Sequence, residues 1–268
     1  MSKKYSLFLL VLLSFIFSNC SNFQKVQKST EWEVKYNAAL KYYERKDYYR
    51  AGMLFEELVP IMRGKKEAEL IEFYLAYCNY HQSNLVLSAE NFKSFFETYA
   101  RSQFAEEAMY MYAFSLYEDS PNYNLDQTNT IDAIDAMQNF INHYPESKFV
   151  DKSNTILLEL RHKLEKKDYE SAKMYHKIQN YKSAVIAFDN FQKNFPDSPY
   201  NEEVAFLKIE SSYTYARLSV ESKKEERFKS VIDYYEKFID KFPDSRYLRQ
   251  AENYYKNSLE EVSQLAKK

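Results

Sequence analysis

The side chains of this 268-residue chain that could do chemistry are few: adjacent carboxylates such as Glu56-Glu57 and Glu106-Glu107, four histidines and two cysteines. General acid–base catalysis needs two carboxyl groups converging on one bond. Neighbours in sequence point about 100° apart on a helix, so neither pair is set up for it. A metal needs several ligands at short spacing, whereas His81, His143, His162 and His176 are scattered, and Cys20 and Cys78 lie far apart. Gly52 and Gly64 stand alone, so no glycine-rich loop can cradle a phosphate, and no serine or cysteine occupies a nucleophile elbow. No catalytic residue, metal or cofactor is therefore expected. The 37 basic and 39 acidic residues leave a formal net charge of −2, and without a basic field no nucleic-acid partner is expected.

The thiol with a context is Cys20. Lys3 and Lys4 precede a run from Leu7 to Phe17 that is apolar apart from Ser14, and Ser18-Asn19-Cys20 follows at once. A run of about 11 apolar residues suits a signal peptide, since a spanning helix takes about 20. The arrangement resembles the lipobox of bacterial lipoproteins, with Asn19 departing from the small residue usual before the cysteine. The resemblance implies removal of residues 1–19 and a covalent lipid, palmitate included, on Cys20. One acyl chain binds a membrane only marginally, so stable anchoring takes several. The competing reading is an ordinary secretory signal in which Cys20 is incidental. Residues 20–30, polar with scattered lysines, read as a tether. Cys78 reads as a small buried hydrophobe.

Past Thr30 apolar residues recur at helical spacing, and an all-α fold is expected. One short phrase returns four times: Tyr99-Ala100-Arg101-Ser102, Tyr144-Pro145-Glu146-Ser147, Phe195-Pro196-Asp197-Ser198 and Phe242-Pro243-Asp244-Ser245, at separations of 45, 51 and 47 residues. Each has an aromatic four residues before it (Phe95, Phe140, Phe191, Phe238) and another five after its start (Phe104, Phe149, Tyr200, Tyr247). A period of this size marks a solenoid. The phrase reads as a corner between helices, where proline ends one and serine caps the next.

Within each period, small and large residues alternate as in tetratricopeptide repeats: Ala39, Tyr42, Ala51 and Phe55; Ala76, Ser88 and Phe92; Ala113, Ala133 and Met137; Ala172, Tyr175, Ala184 and Phe188; then, more loosely, Ala216, Val231 and Tyr235. Small residues let antiparallel helices approach, and large ones fill the gap between pairs. The expectation is a tetratricopeptide-like superhelical solenoid of about five helix pairs: 31–46 with 48–62, 67–81 with 84–99, 103–118 with 128–143, 164–178 with 181–195, and 200–218 with 226–241. A bridging helix at 149–163 and a capping helix at 246–266 complete it. The organisation is then repeats one to three over 31–148 and repeats four and five over 149–268. The charged run Lys223-Lys224-Glu225-Glu226-Arg227 reads as a solvated loop or helix face.

A lipidated cysteine, a polar tether and five such pairs together resemble the BamD family, the outer-membrane assembly lipoproteins of the β-barrel assembly machinery. The most telling stretch runs from Leu160 and Leu164 through Ala172, Asn180-Tyr181-Lys182-Ser183-Ala184 and the Phe-Pro-Asp-Ser corner. Repeat two departs by lacking the corner proline, and repeat three by the insertion around Ser120 to Asn129. The resemblance implies a non-catalytic scaffold, lipid-anchored in the outer membrane and facing the periplasm. It would bind unfolded barrel precursors and dock on the periplasmic domains of a BamA-like barrel subunit. In tetratricopeptide arrays the first helix of each pair lines a concave face, which here implies Tyr36, Leu40, Tyr43, Leu70, Phe73, Tyr77, Tyr80, Tyr110, Phe114 and Tyr117 as a peptide-binding groove. Tyrosine can bury its ring while its hydroxyl bonds to backbone. The competing reading is that these aromatics are core. Two other functions remain open: coordination of cell-wall synthesis or division, and binding of nutrient ligands at the surface. The second usually relies on tryptophan platforms, and this chain has one tryptophan, Trp32.

Overall fold

The computed structural model describes residues 22–267, and all regular structure among them is helical. Helix α1 spans Trp32–Glu44, α2 Tyr48–Met62, α3 Ala68–His81, α4 Leu85–Thr98, α5 Ala105–Asp119, α6 Thr128–His143, α7 Val150–Lys177, α8 Tyr181–Asn194, α9 Asn201–Arg217, α10 Glu221–Lys241 and α11 Leu248–Leu265. From α1 to α6, and again from α8 to α11, each helix packs on the next, giving the expected all-α, tetratricopeptide-like array of helix pairs. The chain forms two compact units, one running to Pro121 and resuming at Leu125–Leu160, the other from Arg161 onward with Asn122–Asn124.

In the first unit one core gathers around Leu54, Phe55, Leu58, Met62 and Ile71, and a second around Phe92, Phe95, Met137, Phe140 and Leu160. In the second unit Phe188, Phe191 and Val204 form one core, and Ile209, Val231, Phe238 and Ala251 another. The small residues of the repeat pattern, Ala39, Ala51, Ala76, Ser88, Ala113, Ala133, Ala172, Ala184 and Ala216, are all buried. Tyr175 breaks the pattern and is exposed.

Within repeats one, two and four the two helices are joined by a turn whose middle residue adopts the left-handed conformation: Lys46 (φ 61°), Ser83 (φ 60°) and Gln179 (φ 62°). Their N–H groups donate to carbonyls of the helix just ended, on Tyr43, Tyr80 and His176. Asp47 and Asn180 then accept from the N–H groups of Arg50 and Ser183, starting the second helix.

The structure changes three expectations. The bridging helix (149–163) and the first helix of repeat four (164–178) are one continuous helix, α7, of 28 residues. The run Leu160-Arg161-His162-Lys163-Leu164 holds no glycine, proline or capping residue that would separate them. Helix α10 begins at Glu221 where 226 was expected, so the charged run takes the helix-face alternative of its reading, with Lys224–Glu221, Lys223–Glu226 and Lys229–Glu225 pairing at helical spacing. Part of the expected tether, residues 22–27, is helical. Its polar composition hides one anchor, Phe23, which is buried edge-on against Tyr42 at 5.6 Å, while Gln27 donates to Glu57 at 3.1 Å.

Candidate functional site

The groove expected from the sequence divides in two when its residues are followed into the structure. Phe73 and Tyr110 are buried, which corrects their assignment to an exposed wall. Each is the partner of a corner aromatic: Phe104 stacks on Phe73 at 4.6 Å, and Phe149 lies on Tyr110 at 4.3 Å with planes 6° apart. The second unit repeats this with Tyr200 on Tyr169 at 4.1 Å and Tyr247 on Phe206 at 4.6 Å. The corner serine holds the stack in register. Its Oγ accepts the N–H two residues on, at Phe104, Phe149, Tyr200 and Tyr247, so it fixes the aromatic before the helix, and α5, α9 and α11 start without a side-chain cap. Ser102, Ser147 and Ser245 also donate to Glu69, Glu106 and Glu202, in the first turn of the preceding repeat.

Repeat one lacks this ring. Tyr36 stands three residues before Ala39, as Phe73 stands before Ala76 and Tyr110 before Ala113, but the residue in front of α3 is Glu67 where α5 has Phe104. Tyr36 is left half-buried. It borders an open cavity of about 500 Å³, lined also by Lys66, Glu67, Glu69, Leu70 and Phe104. Burial first, then the charge of Glu67, pushes the Tyr36 hydroxyl up from its ordinary range.

The remaining members, Leu40, Tyr43, Leu70, Tyr77, Tyr80, Phe114 and Tyr117, are half-buried. Tyr43 meets Tyr74 at 4.5 Å, Tyr77 meets Phe92 at 5.0 Å, Tyr80 meets Phe114 at 6.1 Å, and Phe114 meets Tyr117 at 5.7 Å. Cross-repeat polar contacts aim the hydroxyls. Tyr77 donates to Glu107 and Tyr117 to Glu159 at 2.6 Å, while the Lys152 ammonium sits over the Phe114 ring at 4.3 Å. Burial, then the hydrogen bond to Glu118, pushes Tyr80 up to about 12; the hydrogen bond to Glu159, then burial, takes Tyr117 to about 12. Burial also raises Tyr43 and Tyr77. All four are neutral at physiological pH; they offer rings, and those whose hydrogens go to glutamates keep oxygens that can accept. Cys78 is a buried free thiol, pushed up to about 12 by burial, as a small hydrophobe should be.

Equivalent contacts in the second unit escaped the sequence reading. Lys173 bridges Tyr169 and Glu203, each at 2.7 Å, and Tyr254 donates to Glu210 at 3.0 Å. Burial pushes the Glu203 carboxyl up, but hydrogen bonds from Lys173 and Tyr169 outweigh it and hold the group below its usual range. The signal was present in the spacing: Lys173 stands to Glu203 as Tyr77 stands to Glu107, 30 residues on in both cases. Cys20, the expected lipidation site, and residues 1–19 lie outside the described residues. Among the described residues no cluster of histidine, cysteine and carboxylate could hold a metal, and no helix is long and apolar enough to cross a membrane.

A solved structure, the crystal structure of the apo form of RapI, is similar with a TM-score of 0.34 and 16% identity, over 99% of this chain and 96% of that one. A putative outer membrane protein assembly factor BamD of Aquifex aeolicus (strain VF5) is 25% identical over 214 residues, 79% of this chain and 70% of that protein. The model of the YfiO family, described as outer membrane lipoprotein, matches residues 28–229 and 175–263. With most of its length covered by that match, the chain belongs to the YfiO family of outer membrane lipoproteins.

Proposed function

We propose that this protein is a non-catalytic scaffold of outer-membrane protein assembly, anchored by lipid on Cys20 and facing the periplasm. Its first unit receives unfolded barrel precursors, and its second unit docks on the periplasmic domains of a BamA-like barrel subunit. Family membership and the assembly role named for the Aquifex relative support the setting. The observation that carries the binding step is the missing ring of repeat one. Every other corner fills the face of its partner ring from within, whereas Tyr36 faces a cavity of about 500 Å³ beside a row of half-buried aromatics with neutral hydroxyls. A precursor strand with an aromatic side chain can supply that ring, with tyrosine hydroxyls bonding to its backbone.

The test has two arms. Affinity purification of the tagged protein in mild detergent should recover a large outer-membrane barrel with periplasmic domains in stoichiometric amount; cell-wall synthases or a nutrient porin instead would refute the assembly role. A barrel precursor's C-terminal peptide should bind with its affinity reduced roughly tenfold when its terminal phenylalanine becomes alanine, about 1.4 kcal/mol. The Glu67→Tyr variant, which fills the cavity from within, should weaken the peptide similarly. Unchanged affinity in that variant would remove Tyr36 from the site.

A further inference from the structure

Helices α4 and α6 both pack on α5 and leave between them a groove of about 870 Å³. Its floor is apolar: Phe96 from α4, Met109, Tyr112 and Leu116 from α5, and Ala136 from α6, with Phe96 and Tyr112 in ring contact at 5.8 Å. At about 100° per residue, Met109, Tyr112 and Leu116 lie on the other side of α5 from Tyr110, Phe114 and Tyr117. The groove is therefore separate from the tyrosine-lined face.

Both rims are acidic. Glu90 and Glu97 border it on α4, Asp132 and Asp135 on α6, and all four are exposed and form no salt bridge among the described residues. Lys93 is the lysine on the rim, and His143, Asn139 and Asn142 close one end. Unpaired carboxylates on both sides of an apolar floor repel one another and gain when cations arrive with apolar groups between them. Glu90 and Glu97 are seven residues apart, which on a helix is about 10.5 Å. Side chains seven apart on a second helix match that interval.

We propose that this groove docks an amphipathic helix of a partner protein whose apolar stripe is flanked on both sides by lysine or arginine. The apolar stripe covers Met109, Tyr112 and Leu116, and the flanking cations meet Glu90 and Glu97 on one side and Asp132 and Asp135 on the other. This site is independent of precursor binding and stands whether or not the tyrosine-lined face receives strands.

The probe is a fluorescein-labelled helical peptide of leucine and lysine, about 18 residues or five turns long, titrated into full-length protein and followed by fluorescence anisotropy. The expected result is saturable binding, weakened at least tenfold in the variant Glu90→Gln, Glu97→Gln, Asp132→Asn, Asp135→Asn, with unchanged helical circular dichroism. Replacing the leucines by serine should cost a similar factor, and exchanging lysine for glutamate should abolish binding. The Tyr80→Ala, Tyr117→Ala variant should bind the peptide as the parent does. Equal binding to the neutralised variant, or equal binding of the leucine-free or glutamate peptide, would overturn the proposal. So would sedimentation showing that the unliganded protein is a dimer that the neutralised variant dissolves, since a second copy would then be the occupant.

Discussion

The corner stack makes a quantitative prediction at Phe149. Its ring lies at 4.3 Å on Tyr110 and edge-on to Phe140 at 6.4 Å, with the Lys148 ammonium 4.9 Å from its centroid. Truncating a fully buried phenylalanine costs about 3–5 kcal/mol. Phe149 is half-buried, so about half of that applies, and the aromatic pair adds roughly 0.5–1.5 kcal/mol. Phe149→Ala should thus destabilise the first unit by about 2–4 kcal/mol. At about 2–4 °C per kcal/mol for a unit of this size, its melting transition should fall by roughly 4–16 °C. Phe149→Tyr should cost less than about 0.5 kcal/mol, because Tyr200 and Tyr247 hold the same place in the second unit. Thermal unfolding by far-ultraviolet circular dichroism, with both variants beside the parent, measures this. If alanine and tyrosine shift the transition equally, or alanine does not shift it, the ring is not what joins repeat three to α7 and the corner argument fails.

Four further outcomes can be checked. Cys20→Ser should release the protein from membranes and abolish palmitate labelling, as fractionation and labelling would show. Tyr77→Phe combined with Glu107→Ala in a double-mutant cycle should give a coupling of about 1.5–3 kcal/mol in denaturant unfolding, as expected for a hydrogen bond to a charged group. Replacing Gln179 by glycine should stabilise by roughly 1 kcal/mol, since its φ of 62° strains a side chain and Gly relieves it. Tyr80, Tyr99, Tyr117 and Tyr254 titrate near 12 in the folded state against 10.0 for a free tyrosine. Their raised values add stability that is complete below pH 10 and is lost as pH climbs through about 12. Alkaline unfolding should fall in that window, with tyrosinate absorbance rising together with loss of helicity; a separate titration near 10 by these four residues would contradict it.

What could be read from the sequence was whatever depends on one repeat at a time. Ala39, Ala76, Ala113 and Ala172 announce close helix approach by size and spacing alone, and all are buried. The corner phrase announced a corner. By local rules its serine caps the next helix, since a serine at a helix start most often does so. The structure gives it two other tasks, holding the N–H two residues on and donating to a glutamate about 33 to 43 residues back, as Ser102 does to Glu69 and Ser245 to Glu202. Such partners come from a neighbouring repeat, and no local rule names them. Composition does not announce that Lys46, Ser83 and Gln179 make left-handed turns without glycine, each with its N–H on a carbonyl of the helix just ended. The repeat period alone places a helix boundary between 163 and 164, but the residues there carry no stop signal, so α7 runs through.

The division of the aromatic set follows from the same contrast between local and cross-repeat rules. A positional rule assigns Tyr36, Phe73 and Tyr110 to one wall because each precedes a small alanine by three residues. Whether such a ring is core or surface depends on a residue some thirty positions later: Phe104 covers Phe73, Phe149 covers Tyr110, and Glu67 leaves Tyr36 uncovered. Core and open cavity are thus one position in the repeat, distinguished by whether the next corner supplies a ring. A repeat protein can open a binding face in this way with a single substitution, keeping the helices and small residues that define the array. The same logic orders the polar contacts, Tyr77 to Glu107, Phe114 to Lys152 and Lys173 to Glu203, each joining a first helix to the one after it with different chemistry.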